Sequence, residues 1–425
     1  MFDLEKYYKL AHSGEKVDNS EFLAYIKSFE NVVLWGASYQ GKAIGKKLLD
    51  EGVKIFCYWD VRYQELGEVN GLKVYEPFTQ CQGDNTLVIV CIGNRVILRR
   101  LLSILESKGF INNVPGDYLY MGMLCPFTKE SGINAKRCSA TMECRQIYCH
   151  RLGNIIKAKC TSEKPIHLTS VTLVINQKCS LKCKFCTSYM NEYPLKDRIN
   201  FPLEQIKKDI DTFFDLVDSV GTITVMGGEP FMHPELSEII EHLCTKQNFG
   251  LISIATSGTF PIKEEQLKGL YEKRVNVSFS NYTQSINERQ KEVYYQNIEF
   301  VKQAGVCYTE GLFSPEWIVP STLYDANRTE QEKIEMKTNC DNWHQIKNGK
   351  VFPCDFANSI YCLGIADYAT DYFDLSMQGD KEEIREKFRT YIERPCYQSC
   401  GHHTKERKMT AKAAEQGYLD FKKPL

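Results

Sequence analysis

The sequence predicts an α/β protein made of an N-terminal α/β unit, a partial (β/α)6 barrel and a small C-terminal domain. Three observations predict it. Short apolar runs alternate with amphipathic helical stretches over residues 31–125. The alternation resumes at Ser170 and continues for at least five strand–helix steps. The final ninety or so residues lose that rhythm and carry Cys340, Cys354, Cys362, Cys396 and Cys400 in irregular pieces. A chain of 425 residues is long enough for two or three domains, because single cores stop growing near roughly 250–300 residues.

In chain order, "NVVLWGAS" is an apolar strand running into a glycine turn, and "YQGKAIGKKLLDEG" has helical spacing at Ile44, Leu48 and Leu49, stopping at Gly52. "VKIFCYWD" is a second strand closing on Asp60, "NTLVIVCIGN" a third, and "RVILRRLLSILESKGF" an amphipathic helix. Strand, glycine turn, helix, strand describes a Rossmann-like domain over residues 1–125. Residues 126–169 show no period and hold Cys138, Cys144, Cys149 and Cys160; their spacing matches no metal pattern, so they read as a connecting region with scattered thiols. In the barrel region, 170–335, "SVTLVINQ" is the first strand. A helix follows at 202–217 with Pro202 at its start and Ile206, Ile210, Phe213, Phe214 and Val217 on one face. "TITVMGG", a helix with Leu236, Ile239, Ile240, Leu243 and Cys244 on a stripe, "LISIATSG", the helix "KEEQLKGLYEK", "VNVSFSN", a long helix through 286–304 and "VCYTEGLF" continue the series. A sixth strand is not legible. Residues 336–425 read as a domain held by metal rather than by a large core.

The bulk composition narrows the function classes. A formal net charge of −1 leaves no electrostatic footprint for nucleic acid or an anionic membrane. No apolar run reaches the ~18 residues of a membrane span, and "MFDLEKYYKL" lacks a signal-peptide core. The expected location is cytoplasmic. Eighteen cysteines in such a chain point to metal or redox chemistry rather than to a disulfide framework. Isolated ones (Cys57, Cys91, Cys244, Cys307) sit among apolar residues and read as small core hydrophobes.

"CSLKCKFC" places Cys179, Cys183 and Cys186 directly after the first barrel strand, where active sites of barrel folds collect. Three thiolates in so tight a loop can hold three corners of a [4Fe–4S] cube and leave one iron open. A zinc site would need a fourth ligand, and none lies at finger spacing. A thioredoxin-type pair would use Cys183 and Cys186 and leave Cys179 idle.

C-x3-C-x2-C after strand one, with aromatic Phe185 before the last cysteine, resembles the signature of the radical S-adenosylmethionine (radical SAM) enzymes. "MGGEP" at the end of strand two resembles their GGEP stretch. The resemblance spans about 170–315. It implies that Phe185 lies near the cofactor's adenine and that Gly227, Gly228, Glu229 and Pro230 hold its methionine amino group. Thr256 and Ser257 would face its ribose or carboxylate, although small polar residues there also serve simply as turn formers. Ser280 matches a polar position facing the same cofactor. The implied chemistry is reductive cleavage of S-adenosylmethionine to a 5′-deoxyadenosyl radical, with an electron donor such as flavodoxin or ferredoxin.

"CDNWHQIKNGKVFPC" is similar to the opening of a SPASM or twitch auxiliary site, one residue short in its first gap, and "CYQSC" resembles the end of one. Too few cysteines follow for two auxiliary clusters. The resemblance therefore implies a single auxiliary [4Fe–4S] cluster on Cys340, Cys354, Cys396 and Cys400, with Cys362 in reserve and more simply a packed thiol. His402 and His403 read as solvated tail residues or else as groups that hydrogen-bond around the cluster or assist a proton transfer, and Trp343 and Tyr282 as pocket lining or core filler.

At the N-terminus, Gly36, Gly41 and Gly45 fall between a strand and a helix, but Ser38 stands where the dinucleotide fingerprint needs glycine. A phosphate cradle at Gly36–Gly41 with Asp60 toward a ribose is one reading, similar to the nucleotide-sugar-binding domains that precede bacterial sugar acyltransferases; a module without ligand is the other. Together these features lead to the expectation of an enzyme acting on a small sugar- or cyclitol-like molecule, possibly nucleotide-linked, by oxidation or else by epimerisation or dehydration. The alternative is a maturase of ribosomally made peptides, many of which carry a winged-helix module that the N-terminal strand–helix pattern does not resemble.

Overall fold

The computed structural model describes Asp3, residues 19–116 and residues 164–421, apart from 38, 82, 84, 93–94, 273, 311–315, 339, 341–342 and 404–408. Cys138, Cys144, Cys149, Cys160 and Ser38 therefore lie outside the described residues. The chain divides into two compact units, whose described parts are 19–116 and 164–421.

In the first unit a six-stranded sheet has the order β3-β4-β2-β1-β5-β6. Its strands are β1 (Asn31–Trp35), β2 (Cys57–Trp59), β3 (Glu68–Val69), β4 (Leu72–Tyr75), β5 (Thr86–Val90) and β6 (Asn113–Pro115). All pairings are parallel except the β3–β4 hairpin. Helices α1 (Ser20–Lys27), α2 (Tyr39–Asp50) and α3 (Arg95–Ser107) accompany the sheet. The two sheet faces bury different sets. One holds Val32, Leu34, Ile44, Leu48, Tyr58, Leu87 and Ile89, and the other holds Val33, Trp35, Cys57, Trp59, Val88 and Val90. A strand whose consecutive residues serve two cores reads as an unbroken apolar run, which is why "NVVLW" and "TLVIV" were legible as strands.

The second unit carries an eight-stranded sheet of order β11-β10-β9-β8-β7-β13-β14-β15. β7 (His167–Val174), β8 (Ser219–Met226), β9 (Phe249–Thr256), β10 (Val275–Phe279) and β11 (Tyr308–Glu310) are parallel neighbours in sequence order. The connecting helices are α4 (Leu203–Leu216), α5 (Leu236–Cys244) and α6 (Glu288–Gln303). Pro202 precedes α4 at φ −60°, and Ile206, Ile210, Phe213 and Phe214 form its core face. Residues 264–271 form a 3-10 helix instead of the expected α-helix. Gly269 gives its N–H to Ser237 Oγ at 2.7 Å, and a Cβ there would meet Ser237's carbonyl at 2.6 Å. This close seat on α5 takes the segment out of the α-helical hydrogen-bond ladder.

The parallel series continues on the other side of β7. β13 (His344–Lys347) pairs in parallel with it, placing His344 opposite Val171 and Ile346 opposite Leu173. β14 (Lys350–Phe352) and β15 (Phe373–Asp374) follow antiparallel. The cysteine-rich C-terminal region thus extends the same sheet. The remaining elements are β12 (Glu316–Ile318), β16 (Thr410–Lys412), α7 (Glu330–Thr338), α8 (Asp355–Cys362) and α9 (Lys381–Ile392), with β12 and β16 antiparallel to each other. Asp209 on α4 fastens the β13–β14 turn by accepting from Gly349 N at 2.8 Å. No helix among the described residues is long and apolar enough to cross a membrane.

Candidate functional site

Cys179, Cys183 and Cys186 occupy the loop that leaves the C-terminal end of β7, and all three are half-buried and unbridged. Burial, reinforced by Cys186, pushes the Cys183 thiol up to about 12. The Cys179 thiol rises chiefly through burial, with Glu229, Cys186 and Cys183 adding to it. Burial also raises Cys186, with a contribution from Asp355. Cys179 and Cys183 both lie in the field of Cys186, and no basic side chain is among the causes of the three shifts. Such a trio becomes thiolate only against a positive centre between the sulfurs, which is what an iron–sulfur cube provides. Among the described residues no three His, Cys, Asp or Glu side chains close on a single ion.

The loop is framed by the turn after β8. Gly228 N donates to Asn176 Oδ1 at 3.1 Å, Asn176 Nδ2 to Glu229 O at 2.9 Å, and Glu229 N to Lys178 O at 2.6 Å. A Cβ on Gly227 would lie 2.1 Å from Asn176 Oδ1. One on Gly228 would lie 2.2 Å from Lys178 O and 2.8 Å from Cys179 Cβ. The two glycines are required by this close approach of one backbone to another.

Glu229 is fully buried. Its carboxylate accepts from Thr256 Oγ1 at 2.6 Å, Ser257 Oγ at 2.6 Å, Ser257 N at 3.0 Å and Phe231 N at 3.3 Å. Ser257 Oγ then meets Thr259 Oγ1 at 2.9 Å, and Thr259 Oγ1 meets Ser180 Oγ of the cysteine loop at 2.8 Å. The ends of β7, β8 and β9 are thereby one hydrogen-bonded network. Pro230 begins the short helical turn after Glu229. Ser280 donates its N–H to Thr256 O at 2.8 Å. Burial pushes the Tyr282 hydroxyl up to about 12, with the three cysteines adding to it. Tyr282 also stands edge-on to Trp317 at 5.3 Å. Phe185 packs with Tyr189, Leu323, Phe356, Ile360 and Phe421. Thr259 and Ser180 were missed by sequence reading because isolated hydroxyls in turns carry no pattern.

A second thiol group lies on the C-terminal elements. Cys354 is the N-cap of α8, its sulfur accepting from Ala357 N at 3.4 Å. Cys340 and Cys400 stand within electrostatic reach of Cys354, and Cys400 within reach of Cys396. The Lys337 ammonium, lowered by burial, feels Cys400, Cys396 and Cys340 together. Burial raises the Cys354, Cys396 and Cys400 thiols, opposed by the Ala357 N–H at Cys354 and by Lys337 at Cys400. Cys396 meanwhile gives its thiol hydrogen to Glu330 at 3.1 Å. Cys362 lies elsewhere, bonded to Asn358 Oδ1 at 3.2 Å.

Between these groups is a polar set that sequence reading missed. Asp355 accepts from Ser188 Oγ at 2.7 Å and is pushed up to about 6, by burial against the opposing effects of Ser188 and Lys347. Its field reaches Cys186 and Cys354 alike. Lys347, buried on β13, donates to Tyr193 Oη at 3.3 Å. The only sequence hint was Asp355's place directly after a cysteine.

Other expectations are corrected. His402 is buried, with Nδ1 2.9 Å from Leu323 O and Nε2 2.9 Å from Tyr368 Oη, and His403 stacks on Phe356 at 4.3 Å. Neither is a solvated tail residue, because the chain folds back into an apolar cluster here. Trp343 is exposed and fills no core. In the first unit Asp60 accepts from Ala37 N and Arg62 N, each at 2.9 Å. Gly36 has φ +108° and would meet Cys91 O at 2.8 Å with a Cβ, while one on Gly41 would lie 1.8 Å from Gly36 O. Both glycines and the aspartate thus also make close contacts within this unit.

Residues 173–310 match the family model described as the Radical SAM superfamily. Over 117 residues it is 33% identical to the antilisterial bacteriocin subtilosin biosynthesis protein AlbA of Bacillus subtilis (strain 168), covering 27% of this chain and 24% of that protein. Over 130 residues it is 29% identical to GTP 3′,8-cyclase of Aquifex aeolicus (strain VF5), covering 30% of this chain and 39% of the relative. The chain thus spans well under half the length of either. Among solved structures, BtrN in complex with AdoMet and 2-DOIA aligns at a TM-score of 0.34 and 17% identity, over 61% of this chain and 98% of that one.

Proposed function

We propose that this chain is a radical SAM enzyme that oxidises a carbon of a small, hydroxyl-bearing sugar- or cyclitol-like substrate. In this reading Cys179, Cys183 and Cys186 hold the reducing [4Fe–4S] cluster, and Cys340, Cys354, Cys396 and Cys400 hold an auxiliary one of SPASM or twitch type. When bound, cluster and S-adenosylmethionine supply a radical that removes a hydrogen atom from an unactivated carbon. The backbone turn at Gly227 and Gly228 and the Ser257 and Ser280 hydroxyls would line the cofactor, with Phe185 toward its adenine. Glu229 shapes that turn, since its own oxygens are already used.

One observation carries the oxidative reading: Asp355, directly after Cys354, accepts from Ser188 Oγ, two residues after Cys186, at 2.7 Å, so a single hydrogen bond joins the two thiol-bearing segments. Two-electron oxidation of a C–OH carbon removes a hydrogen atom, a proton and an electron. Asp355 would take the proton from the hydroxyl, and the second cysteine group would hold the electron acceptor, whereas epimerisation would need no such acceptor. Lys347 and Tyr193 would orient the substrate's polar groups. An electron donor of flavodoxin or ferredoxin type fits the reducing cluster. A nucleotide-linked substrate held at Gly36, Gly41 and Asp60 has less support, because those residues are engaged with one another. The second reading, maturation of a ribosomally made peptide, is favoured by the similarity to AlbA.

The test is 5′-deoxyadenosine formation by anaerobically reconstituted protein with dithionite, in which Cys183→Ala should abolish the product. Wild-type output from that variant would overturn the radical SAM reading. Mass spectrometry with sugar, cyclitol and peptide panels then separates the substrate classes, oxidation appearing as the loss of two hydrogens.

A further inference from the structure

A segment near the C-terminus lies across the cysteine loop like an added strand. Lys184 N donates to Glu415 O at 2.7 Å and Gly417 N to Lys182 O at 2.8 Å, so that Cys183 and Gln416 face each other as an antiparallel bridge. Asn191 Nδ2 ties the two strands by donating to Cys183 O at 2.9 Å and Gly417 O at 3.1 Å. Ser285 Oγ holds the segment from the far side through Ala413 O at 2.5 Å. Ala414 is fully buried and sits at φ +54°, a left-handed conformation that a residue with a Cβ adopts at a cost. Such a conformation persists only where surrounding contacts fix it.

That turn aims one side chain. The Gln416 amide is oriented without ambiguity: Oε1 accepts from Lys182 N at 2.9 Å, so Nε2 is the donor end. Nε2 gives one hydrogen to Ala414 O at 2.6 Å and the other to Cys183 Sγ at 3.5 Å. The side chain remains exposed on its outer edge. No other side-chain donor to the sulfurs of Cys179, Cys183 or Cys186 is found among the described residues' hydrogen bonds to them.

We propose that Gln416 is a positioning residue that sets the reduction potential of the cluster held by Cys179, Cys183 and Cys186, through an N–H···S bond to Cys183. The inference rests on the proposed assignment of that cluster. An N–H dipole aimed at a ligand sulfur stabilises the more negative, reduced state and so raises the potential; hydrogen bonds to sulfur are one of the protein's main controls on such centres. Placing the donor on a separate strand, docked by backbone bonds, fixes its direction better than a donor within the loop.

The experiment is an anaerobic redox titration of the reconstituted full chain, followed by electron paramagnetic resonance, on wild type, Gln416→Glu and Gln416→Met. Gln416→Glu keeps the acceptor for Lys182 N and replaces the donor by an anion. Gln416→Met removes the donor without adding charge. Both should shift the midpoint of the loop cluster to more negative potential, Gln416→Glu further, while the auxiliary cluster's midpoint stays in place as the internal control. An unchanged midpoint in Gln416→Met, with iron content and thermal melting as in wild type, overturns the proposal. If Gln416→Glu loses its cluster, Gln416→Met alone decides. A wild type that binds no cluster at the loop, or a Cys183→Ala variant that keeps it, overturns the cluster assignment itself instead.

Discussion

At Glu229 four hydrogen bonds converge on one buried carboxylate, and each donor sits at the end of a strand or in the turn after one. Glu229→Ala should strand the Thr256 and Ser257 donors at about 1–3 kcal/mol each, seen as a lowered urea midpoint. Glu229→Gln should recover part of the loss. The GGEP motif was legible, and its resemblance points the glutamate at a cofactor; its hydrogen bonds to the neighbouring turn were not legible, because the turn residues lie far from it in sequence. Asp355 was legible only as the neighbour of a cysteine, since nothing in "VFPCDFA" says that Ser188 comes to meet it. Asp355→Asn should leave 5′-deoxyadenosine formation within a few-fold of wild type while cutting oxidised product by at least about tenfold, near 1.4 kcal/mol. Equal loss of both would remove it from the proton-accepting role.

Among the elements, the strand ends depend on backbones passing at contact distance. Gly228→Ala would force a Cβ to 2.2 Å from Lys178 O. Neither partner is the end of a flexible side chain, so the cysteine loop must move. Iron bound after reconstitution should fall by the share of one cluster, with circular dichroism unchanged. His233 adds a pH dependence to the same turn. It is fully buried, and burial lowers its folded pKa below the ordinary 6.5. The stability it contributes is therefore present above about pH 6.5 and lost as the pH falls, because the unfolded chain takes up the proton first. His233→Gln should flatten the acid limb of a melting-temperature profile between about pH 6.5 and 5. Helices α4 and α5 were readable because their apolar stripes match the buried face. β13 was not, for a physical reason: all four residues of "HQIK" are buried, yet three are polar. A strand that buries polar groups carries no alternation to detect.

For the molecule as a whole, the two sheet-bearing units were legible from alternation alone, whereas their junction falls outside the described residues. Iron and sulfide analysis of reconstituted protein should give two [4Fe–4S] clusters, and removal of Cys179, Cys183 and Cys186 together should leave one. That one should disappear with Cys354→Ala. A triple variant that keeps no iron would show that the C-terminal cysteines hold no independent cluster.

The pairing of β13 with β7 bears on how the protein is made. β7 emerges early from a ribosome, but its partner on one edge is synthesised only after α4, α5, α6 and α7, so the central sheet cannot close until the last fifth or so of the chain is available. Contacts of such long sequence separation form late and slowly. The cysteine loop at the end of β7 is likewise backed by residues 413–417. A nascent chain therefore presents the three thiols before the segment that backs them has been made, and a cluster held there would have to be completed after synthesis.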